Sequence, residues 1–195
     1  MEEKLIDTTR LVEIRWHGRG GQGAVMASEI LARAAISEGK YAQSFPSFGP
    51  ERRGAPVMAF DRINPTKPIR VRADVAEPDV VIVLDPTLLG IVNVASGLKE
   101  DGILILNTSK NIEDFEAEFG TKWQMASVDA TRIARELLGV PIVNTTMLGA
   151  LLRATEVVKI ESMEEPLEQR FERLAERNIN AMKRAYEETV VKGLS

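Results

Sequence analysis

The sequence contains no cysteine, and this absence excludes three kinds of chemistry. Without thiolates the chain cannot form a disulfide, hold an iron–sulfur cluster through sulfur, or attack a substrate with a thiol. Histidine is almost as scarce, because His17 is the only one. No neighbour in the sequence completes a metal site or a catalytic triad around His17, so we expect it to have a structural role.

Long apolar runs are also missing. No stretch reaches the roughly 20 apolar positions that a membrane span needs. The N-terminus, MEEKLIDTTR, lacks the apolar core of a signal peptide. The net charge of -4, from 29 acidic and 25 basic residues, gives no general attraction to nucleic acid or anionic lipid. We therefore expect a soluble, cytoplasmic protein that binds neither, and any anion site must be local.

What the chain does contain predicts an α/β protein. With 195 residues and 44% hydrophobic content, one domain over residues 1–195 is expected. Strands are predicted at residues 11–17, 79–85, 102–107 and 123–129, and helices at residues 24–37, 130–138 and 145–155. The aliphatic runs are typical of strands buried on both faces. The predicted fold is a three-layer α/β/α sandwich with a mostly parallel, mixed, Rossmann-like central sheet.

Two further segments predict departures from a simple wound sheet. Residues 41–56 are rich in Ser, Pro and Gly, which predicts a long shaped loop. Residues 56–63 and 68–73 are short alternating runs on either side of a turn-prone tetrad, which predicts an antiparallel hairpin.

An amphipathic helix is predicted from Met163 towards the C-terminus. Its apolar residues recur every three to five positions and are Leu167, Phe171, Leu174, Ile179, Met182 and Tyr186. This stripe packs on the chain's own sheet or docks on a partner subunit, since both arrangements have the same periodicity.

The glycine-rich segment GRGGQG follows the first predicted strand. Gly18, Gly20 and Gly23 satisfy the G-x-G-x-x-G spacing between a strand and a helix, and Gly21 adds close backbone approach. The motif predicts either a phosphate contact at the helix N-terminus or only a tight turn or subunit contact. About 20 residues downstream, residues 41–44 offer no acid for the ribose of NAD, which argues against NAD binding.

A pair of arginines is the second candidate anion site. Arg52 and Arg53 follow Glu51 in a segment framed by glycines, so two guanidinium groups could meet a phosphate or carboxylate. The alternative is a solvated basic pair or a salt bridge to a partner chain. If Arg19 lies nearby, the three arginines form an electropositive patch. Asp85 and Asn107, at the ends of their strands, either face a ligand or cap turns.

Taken in order, the motifs IRWHGRGGQG, SFPSFGPERRGAPV, ADVAEPDVVIVLDPTLL, VNTTMLGALL and FERLAERNINAMKRAYE resemble the gamma subunit of 2-oxoacid:ferredoxin oxidoreductases. The resemblance covers residues 12–186 and is greatest to the pyruvate-specific branch.

This resemblance implies one part of an enzyme that converts pyruvate and coenzyme A to acetyl-CoA, carbon dioxide and reduced ferredoxin. In that family, thiamine diphosphate lies between alpha and beta subunits, and the [4Fe-4S] clusters lie in beta and delta subunits. Gamma would hold none of these cofactors. Its implied role is to complete the assembly and shape the coenzyme A side of the active site through Gly18, Arg19, Gly20, Gly21, Gly23, Arg52 and Arg53. The remaining alternatives are a stand-alone NAD- or flavin-binding oxidoreductase, a gamma subunit for another 2-oxoacid, and a purely structural subunit.

Overall fold

A computed structural model describes residues 6–47, 54–119 and 122–193. In this part of the chain seven strands form one sheet, in the order β2-β3-β1-β4-β5-β6-β7. The strands are β1 (Val12–Arg19), β2 (Tyr41–Pro46), β3 (Pro56–Asn64), β4 (Val80–Val83), β5 (Ile103–Asn107), β6 (Gln124–Val128) and β7 (Val190–Lys192). The helices are α1 (Ala24–Ser37), α2 (Ile112–Phe119), α3 (Ala130–Leu138), α4 (Asn144–Thr155), α5 (Glu164–Phe171) and α6 (Ala175–Glu188).

The sheet is mixed, as predicted. The neighbours β1, β4, β5 and β6 are parallel, whereas β3 is antiparallel to both β1 and β2, and β7 is antiparallel to β6. All four residues of β4 and all five of β5 are buried, as continuous aliphatic runs predict for strands covered on both faces.

Two cores of different size cover the faces of the sheet. The larger contains apolar residues of α1, α3, α4, α5 and α6 packed against alternate residues of the strands. The smaller contains α2, the 3-10 turn Pro86–Gly90 and the segment after it, packed on the opposite faces of β4, β5 and β6. This arrangement confirms the predicted three-layer sandwich.

The predicted long loop over residues 41–56 is wrong in its first part, because residues 41–46 form β2. This segment pairs antiparallel with β3 from Tyr41 opposite Asn64 to Pro46 opposite Ala59. Pro46 is tolerated because β2 is an edge strand. A composition rich in Ser and Pro therefore did not prevent a short strand from forming at the edge of the sheet.

The predicted hairpin is half correct. Residues 56–63 lie in β3, but residues 68–73 form no strand. Carbonyl oxygens of this segment instead accept side-chain hydrogen bonds. Gln43 Nε2 donates to Ile69 O at 3.2 Å, and Arg62 Nη1 donates to Val71 O at 3.5 Å. Side chains of β2 and β3 thus bond to backbone that has no partner strand.

The C-terminal amphipathic segment is two helices rather than one. The helix breaks at Glu172, whose φ of 46° is left-handed, and a 3-10 turn over Glu172–Leu174 joins α5 to α6. Leu167 and Met182 are buried in the larger core, whereas Leu174 is 54% exposed. Most of the stripe thus packs into the chain's own larger core, where α6 lies against α4. Within the described residues no helix has both the length and the apolar character needed to cross a membrane.

Candidate functional site at the carboxyl edge of the sheet

The glycine-rich loop lies at the point where the direction of strand connection reverses. From β1 the chain passes through α1 to β2 on one side of the sheet, whereas from β4 it passes to β5 on the other. The carboxyl ends of β1 and β4 are adjacent, since His17 pairs with Val83. Ligands of open α/β sheets bind in the crevice at such a switch point. The loop after β1 and the turn after β4 lie at this switch point, and we refer to the position between them as the crevice.

The glycines of the loop have the conformations that such a turn requires. Gly21 and Gly23 have φ of 94° and 81°, in the left-handed region that favours glycine. Gly23 is the N-cap of α1 and provides no side-chain cap. The amides of Gly21 and Gly23 donate to no other described residue. The loop therefore presents an uncapped helix N-terminus at the crevice, which is a favourable place for an anion.

Arg19 closes the crevice by contacting the turn after β4. Its Nε donates to Asp85 Oδ2 at 2.9 Å, and its Nη2 donates to Thr87 Oγ1 at 2.8 Å. Gln22 Nε2 donates to the same Asp85 oxygen at 2.9 Å, while Gln22 Oε1 accepts from the Arg19 amide at 2.7 Å. The two walls of the crevice are thus joined by one network of hydrogen bonds.

Asp85 is the centre of this network. Its Oδ1 accepts from the Thr87 amide and hydroxyl at 2.9 and 2.6 Å and caps the 3-10 turn Pro86–Gly90. Partial burial raises the pKa of Asp85, but hydrogen bonds from Thr87 and Gln22 and the charge of Arg19 outweigh it and hold the pKa below its usual value. Asp85 is therefore ionised and pairs with Arg19 at neutral pH.

The start of β3 is bound to the same loop. Gly20 N donates to Ala55 O at 3.0 Å, and Arg19 Nη1 donates to Gly54 O at 3.0 Å. Arg52 and Arg53 lie outside the described residues, so their predicted contacts stay a prediction. The charge of Arg19 is already paired with Asp85, which weakens the expected patch of three arginines.

Asn144, which the sequence analysis did not single out, supports the loop from the other side. It is the first residue of α4, it is 3% exposed, and a Cβ built on Gly23 would lie 2.6 Å from its Nδ2. The same Nδ2 lies 3.4 Å from Met26 Sδ on α1. Gly23 is therefore required both by its backbone angle and by this close approach. The signal available in the sequence was the run VNTTMLGALL, which gives no distance to the loop.

The other polar residues near strand ends have structural contacts. Asn107 Nδ2 donates to Leu84 O at 2.8 Å and to Thr131 Oγ1 at 2.9 Å, which joins β4, β5 and α3. His17 is buried and accepts a hydrogen bond at Nε2 from Arg15 Nε at 3.1 Å. Within the described residues no group of three His, Cys, Asp or Glu side chains is arranged to hold a metal ion.

The NAD hypothesis is further weakened by the strand order. In nucleotide-binding sheets the acid for the ribose follows the strand next to β1. Here the antiparallel β3 lies between β1 and β2. Residues 41–44, about 20 residues after the glycine loop, therefore lie one strand farther from that loop.

Comparisons with known proteins agree with the resemblance of the motifs. Residues 13–188 match the family model of pyruvate ferredoxin/flavodoxin oxidoreductase. The common gamma subunit of the pyruvate/ketoisovalerate oxidoreductases of Pyrococcus furiosus is 55% identical over 183 residues, covering 93% of this chain and 98% of the relative. Pyruvate synthase subunit PorC of Methanothermobacter marburgensis is 52% identical over 178 residues, covering 91% and 97%.

A solved structure gives the same result in three dimensions. The pyruvate oxidoreductase subunit PORC of Thermotoga maritima is 44% identical and superposes with a TM-score of 0.83, covering 94% of this chain and 99% of that one. Because the family model, the sequence relatives and the solved structure all indicate the same family, the chain belongs to the pyruvate ferredoxin/flavodoxin oxidoreductase family, as a gamma subunit.

Proposed function

We propose that this gamma subunit works in a cytoplasmic complex with alpha, beta and delta subunits that oxidises pyruvate. In that reaction pyruvate and coenzyme A give acetyl-CoA and carbon dioxide, and the two electrons released pass to ferredoxin. Thiamine diphosphate and [4Fe-4S] clusters, which supply the decarboxylation and electron-transfer chemistry, would be bound by the partner subunits. A chain without cysteine cannot ligate such clusters through thiolates, which supports this division of labour.

The identity of the 2-oxoacid is proposed to be determined outside this chain. The Pyrococcus furiosus relative is named as a subunit common to pyruvate and ketoisovalerate oxidoreductases. A subunit shared by two enzymes cannot by itself distinguish their substrates. We therefore expect substitutions in this chain to leave the preference between pyruvate and a branched 2-oxoacid unchanged.

Within the complex, we propose that the crevice beside the glycine loop forms the coenzyme A side of the active site. The observation that carries this proposal is the uncapped N-terminus of α1 at the switch point of the sheet. Coenzyme A carries several phosphates, and the amides of Gly21 and Gly23 together with the helix dipole could bind one of them. Gly18 and Gly20 would allow the phosphate to come close to the backbone, and Arg52 and Arg53 would supply positive charge.

Arg19 has a different part in this proposal. Its guanidinium already donates to Asp85, Thr87 and Gly54, so it holds the loop and the start of β3 together. It would contact a phosphate only by giving up some of these bonds. We therefore assign Arg19 to positioning the loop and assign phosphate binding first to the loop amides and the arginine pair.

A matched pair of glycine substitutions tests the proposal. Gly21 and Gly39 both have positive φ, 94° and 79°, and a Cβ on either one meets nothing within 4 Å. Alanine at either position should therefore cost a similar strain of about 1 kcal/mol. Only Gly21→Ala places a methyl group at the crevice, so it should raise the Michaelis constant for coenzyme A in the assembled enzyme about tenfold and leave that for pyruvate unchanged.

The arginine pair is tested in the same assay. Arg52→Ala and Arg53→Ala should each raise the Michaelis constant for coenzyme A and spare that for pyruvate, because each would remove a positive charge that this proposal assigns to phosphate binding. If all three variants behave like Gly39→Ala while the complex stays intact, the crevice has no role in binding coenzyme A. The purely structural alternative would then be favoured.

An independent NAD- or flavin-binding oxidoreductase is the remaining alternative. It is tested by thermal-shift titration of the full chain with NAD, NADP, FMN and FAD. We expect no stabilisation at micromolar concentration, because the loop lacks the ribose-binding acid and β2 is not adjacent to β1. Stabilisation by several degrees with any one of them would favour this alternative instead.

A further inference from the structure

The sheet face opposite α1 carries a cavity of about 520 Å³ that the sequence analysis did not anticipate. Arg15 and His17, two residues apart on β1, lie on this face and line it. Met58 of β3 is paired with His17 in the sheet register and also lines the cavity. Asn93 and Ser96, from the segment after the 3-10 turn, complete the wall. The volume is within the ordinary range for small-molecule sites.

Arg15 is a buried cation without a partner of opposite charge among the described residues. It is only 7% exposed, and its Nη2 donates to Val94 O at 2.9 Å and to Ser96 O at 2.5 Å. Its Nε donates to the neutral ring of His17 and its Nη1 donates to Val75 O at 3.4 Å, which leaves one Nη1 N–H without a partner among the described residues. Burial lowers the pKa of Arg15, which reflects the unfavourable loss of hydration around its charge. Buried charges are normally paired, so this guanidinium would be stabilised by an anion in the cavity.

His17 adds a hydrogen-bond donor to the same cavity. Burial, and then the charge of Arg15, lower the pKa of His17 to about 4, so the ring is neutral near pH 7. Because Nε2 accepts from Arg15, the proton of the neutral ring is on Nδ1. The imidazole can therefore donate one hydrogen bond to a ligand, and it does so without adding a second positive charge.

The rest of the described lining is apolar or uncharged. Val57, Met58 and Val92 provide apolar surface, Asn93 and Ser96 provide polar groups, and no acidic side chain of the described residues lines the cavity. A single cation at one side of an apolar wall suits a ligand with an anionic head and an apolar stem. It does not suit a cation or a large neutral molecule.

We propose that this cavity binds a small amphipathic anion, a carboxylate or phosphate on a short apolar stem, with Arg15 and His17 holding the anionic group. The apolar stem packs on Val57 and Met58. The cavity lies on the sheet face opposite α1, although Ala55, which lines it, accepts a hydrogen bond from Gly20 of the glycine loop. It requires no part of the proposed coenzyme A role, and its failure would leave that role intact.

The only histidine in the chain provides a direct probe of this site. With uniformly ¹³C-labelled full-length chain at pH 7 and constant ionic strength, the single imidazole ε1 resonance belongs to His17. The ligands are butyrate and n-butyl phosphate, which distinguish a carboxylate from a phosphate head. Acetate tests the apolar stem, and n-butylammonium tests the charge. We expect a saturable shift with one or both butyl anions, weaker binding of acetate, and no response to n-butylammonium.

A pair of matched substitutions distinguishes the cavity from general charge effects. Asn93→Asp adds a negative charge in the exposed part of the lining and should weaken binding about threefold to tenfold. Asn64→Asp makes the same change at the far end of β3 and retains the acceptor oxygen that Thr66 and Lys67 use, so it should leave binding unchanged. Equal effects of the two variants would overturn the proposal.

A carboxylate of the chain itself is the competing explanation. Glu51 lies outside the described residues, between Ser47 and Ala55, which both line the cavity. The variant Glu51→Gln should bind butyrate or butyl phosphate as the parent chain does. If the parent gives no saturable shift, or if only Glu51→Gln responds, the cavity is not a ligand site and the proposal is wrong.

Discussion

Removal of the Asp85 carboxylate is the sharpest test of the network that closes the crevice. Asp85 accepts four hydrogen bonds, two from Thr87 and one each from Arg19 and Gln22. Asp85→Ala removes the cap of the 3-10 turn, which is worth about 1 kcal/mol. It also removes two long-range bonds to a carboxylate, worth together about 1–2 kcal/mol because the side chains of Asp85 and Arg19 are 12% and 26% exposed. The expected loss of stability is therefore about 2–3 kcal/mol.

The assay is urea denaturation of the full chain at pH 7, with Asp129→Ala as the control. Asp129 caps α3 through a single bond from the Arg132 amide at 2.9 Å, so its removal should cost only about 1 kcal/mol. A double-mutant cycle between Asp85→Ala and Arg19→Met should give a coupling energy of about 1 kcal/mol. A coupling near zero, or equal losses in the two alanine variants, would refute the assignment of Asp85 as the link between the walls.

The pH dependence of the same variant follows from the lowered pKa of Asp85. A carboxyl whose pKa is lower in the folded chain stabilises the fold fully above its unfolded pKa of about 3.9. That contribution is lost as the pH falls through the folded value. The stability difference between the parent and Asp85→Ala should therefore be constant near neutrality and shrink below about pH 4. A difference that grew on acidification would contradict this sign.

Two further predictions concern the core and the buried histidine. A Cβ on Gly149 would lie 2.0 Å from Met182 O, so Gly149→Ala should destabilise the fold by about 3 kcal/mol. The control is Gly90→Ala, where a Cβ would meet nothing within 4 Å, and it should change stability by less than about 0.5 kcal/mol. Equal urea midpoints of the two variants would contradict the close packing of α4 on α6. His17 has a pKa of about 4 in the folded chain against 6.5 when unfolded, so its contribution to stability should be constant above about pH 6.5 and fall by about 3 kcal/mol as the pH drops to 4. His17→Gln should abolish this part of the dependence of unfolding free energy on pH, measured by urea denaturation at several pH values. An unchanged pH dependence would show that the pKa of His17 is not lowered in the fold.

Local patterns were sufficient for most of the elements. The helix over residues 24–37 and the helix over residues 130–138 were predicted with the bounds that the structure has, because amphipathic spacing and glycine after the last turn are local signals. The strands β4 and β5 followed from aliphatic runs, and a strand was also predicted over residues 123–129, where β6 lies. The strand β2 was missed because an edge strand needs little apolar content. The second half of the predicted hairpin did not form because β1 and β2 already occupy both edges of β3.

The sequence predicted the position of the candidate site in the fold but not the hydrogen bonds within it. The spacing of GRGGQG located a loop at the carboxyl end of β1, and the structure has it there. The pairing of Arg19 with Asp85 was not predictable, since 66 residues separate them and no local pattern relates their positions. The close approach of Asn144 to Gly23 was not predictable either, because it depends on how α4 packs on α1.

The sequence by itself determined which thiol chemistry this protein cannot perform and where most of its regular elements lie, because residue type and short-range periodicity act within a few positions. It also identified the family, through the order of five motifs that span almost the whole chain. Only the tertiary structure decided that β3 separates β1 from β2, that Arg19 is neutralised by Asp85, and that Arg15 and His17 line a cavity. These are consequences of strand order and of burial, and both arise when segments far apart in the chain pack together.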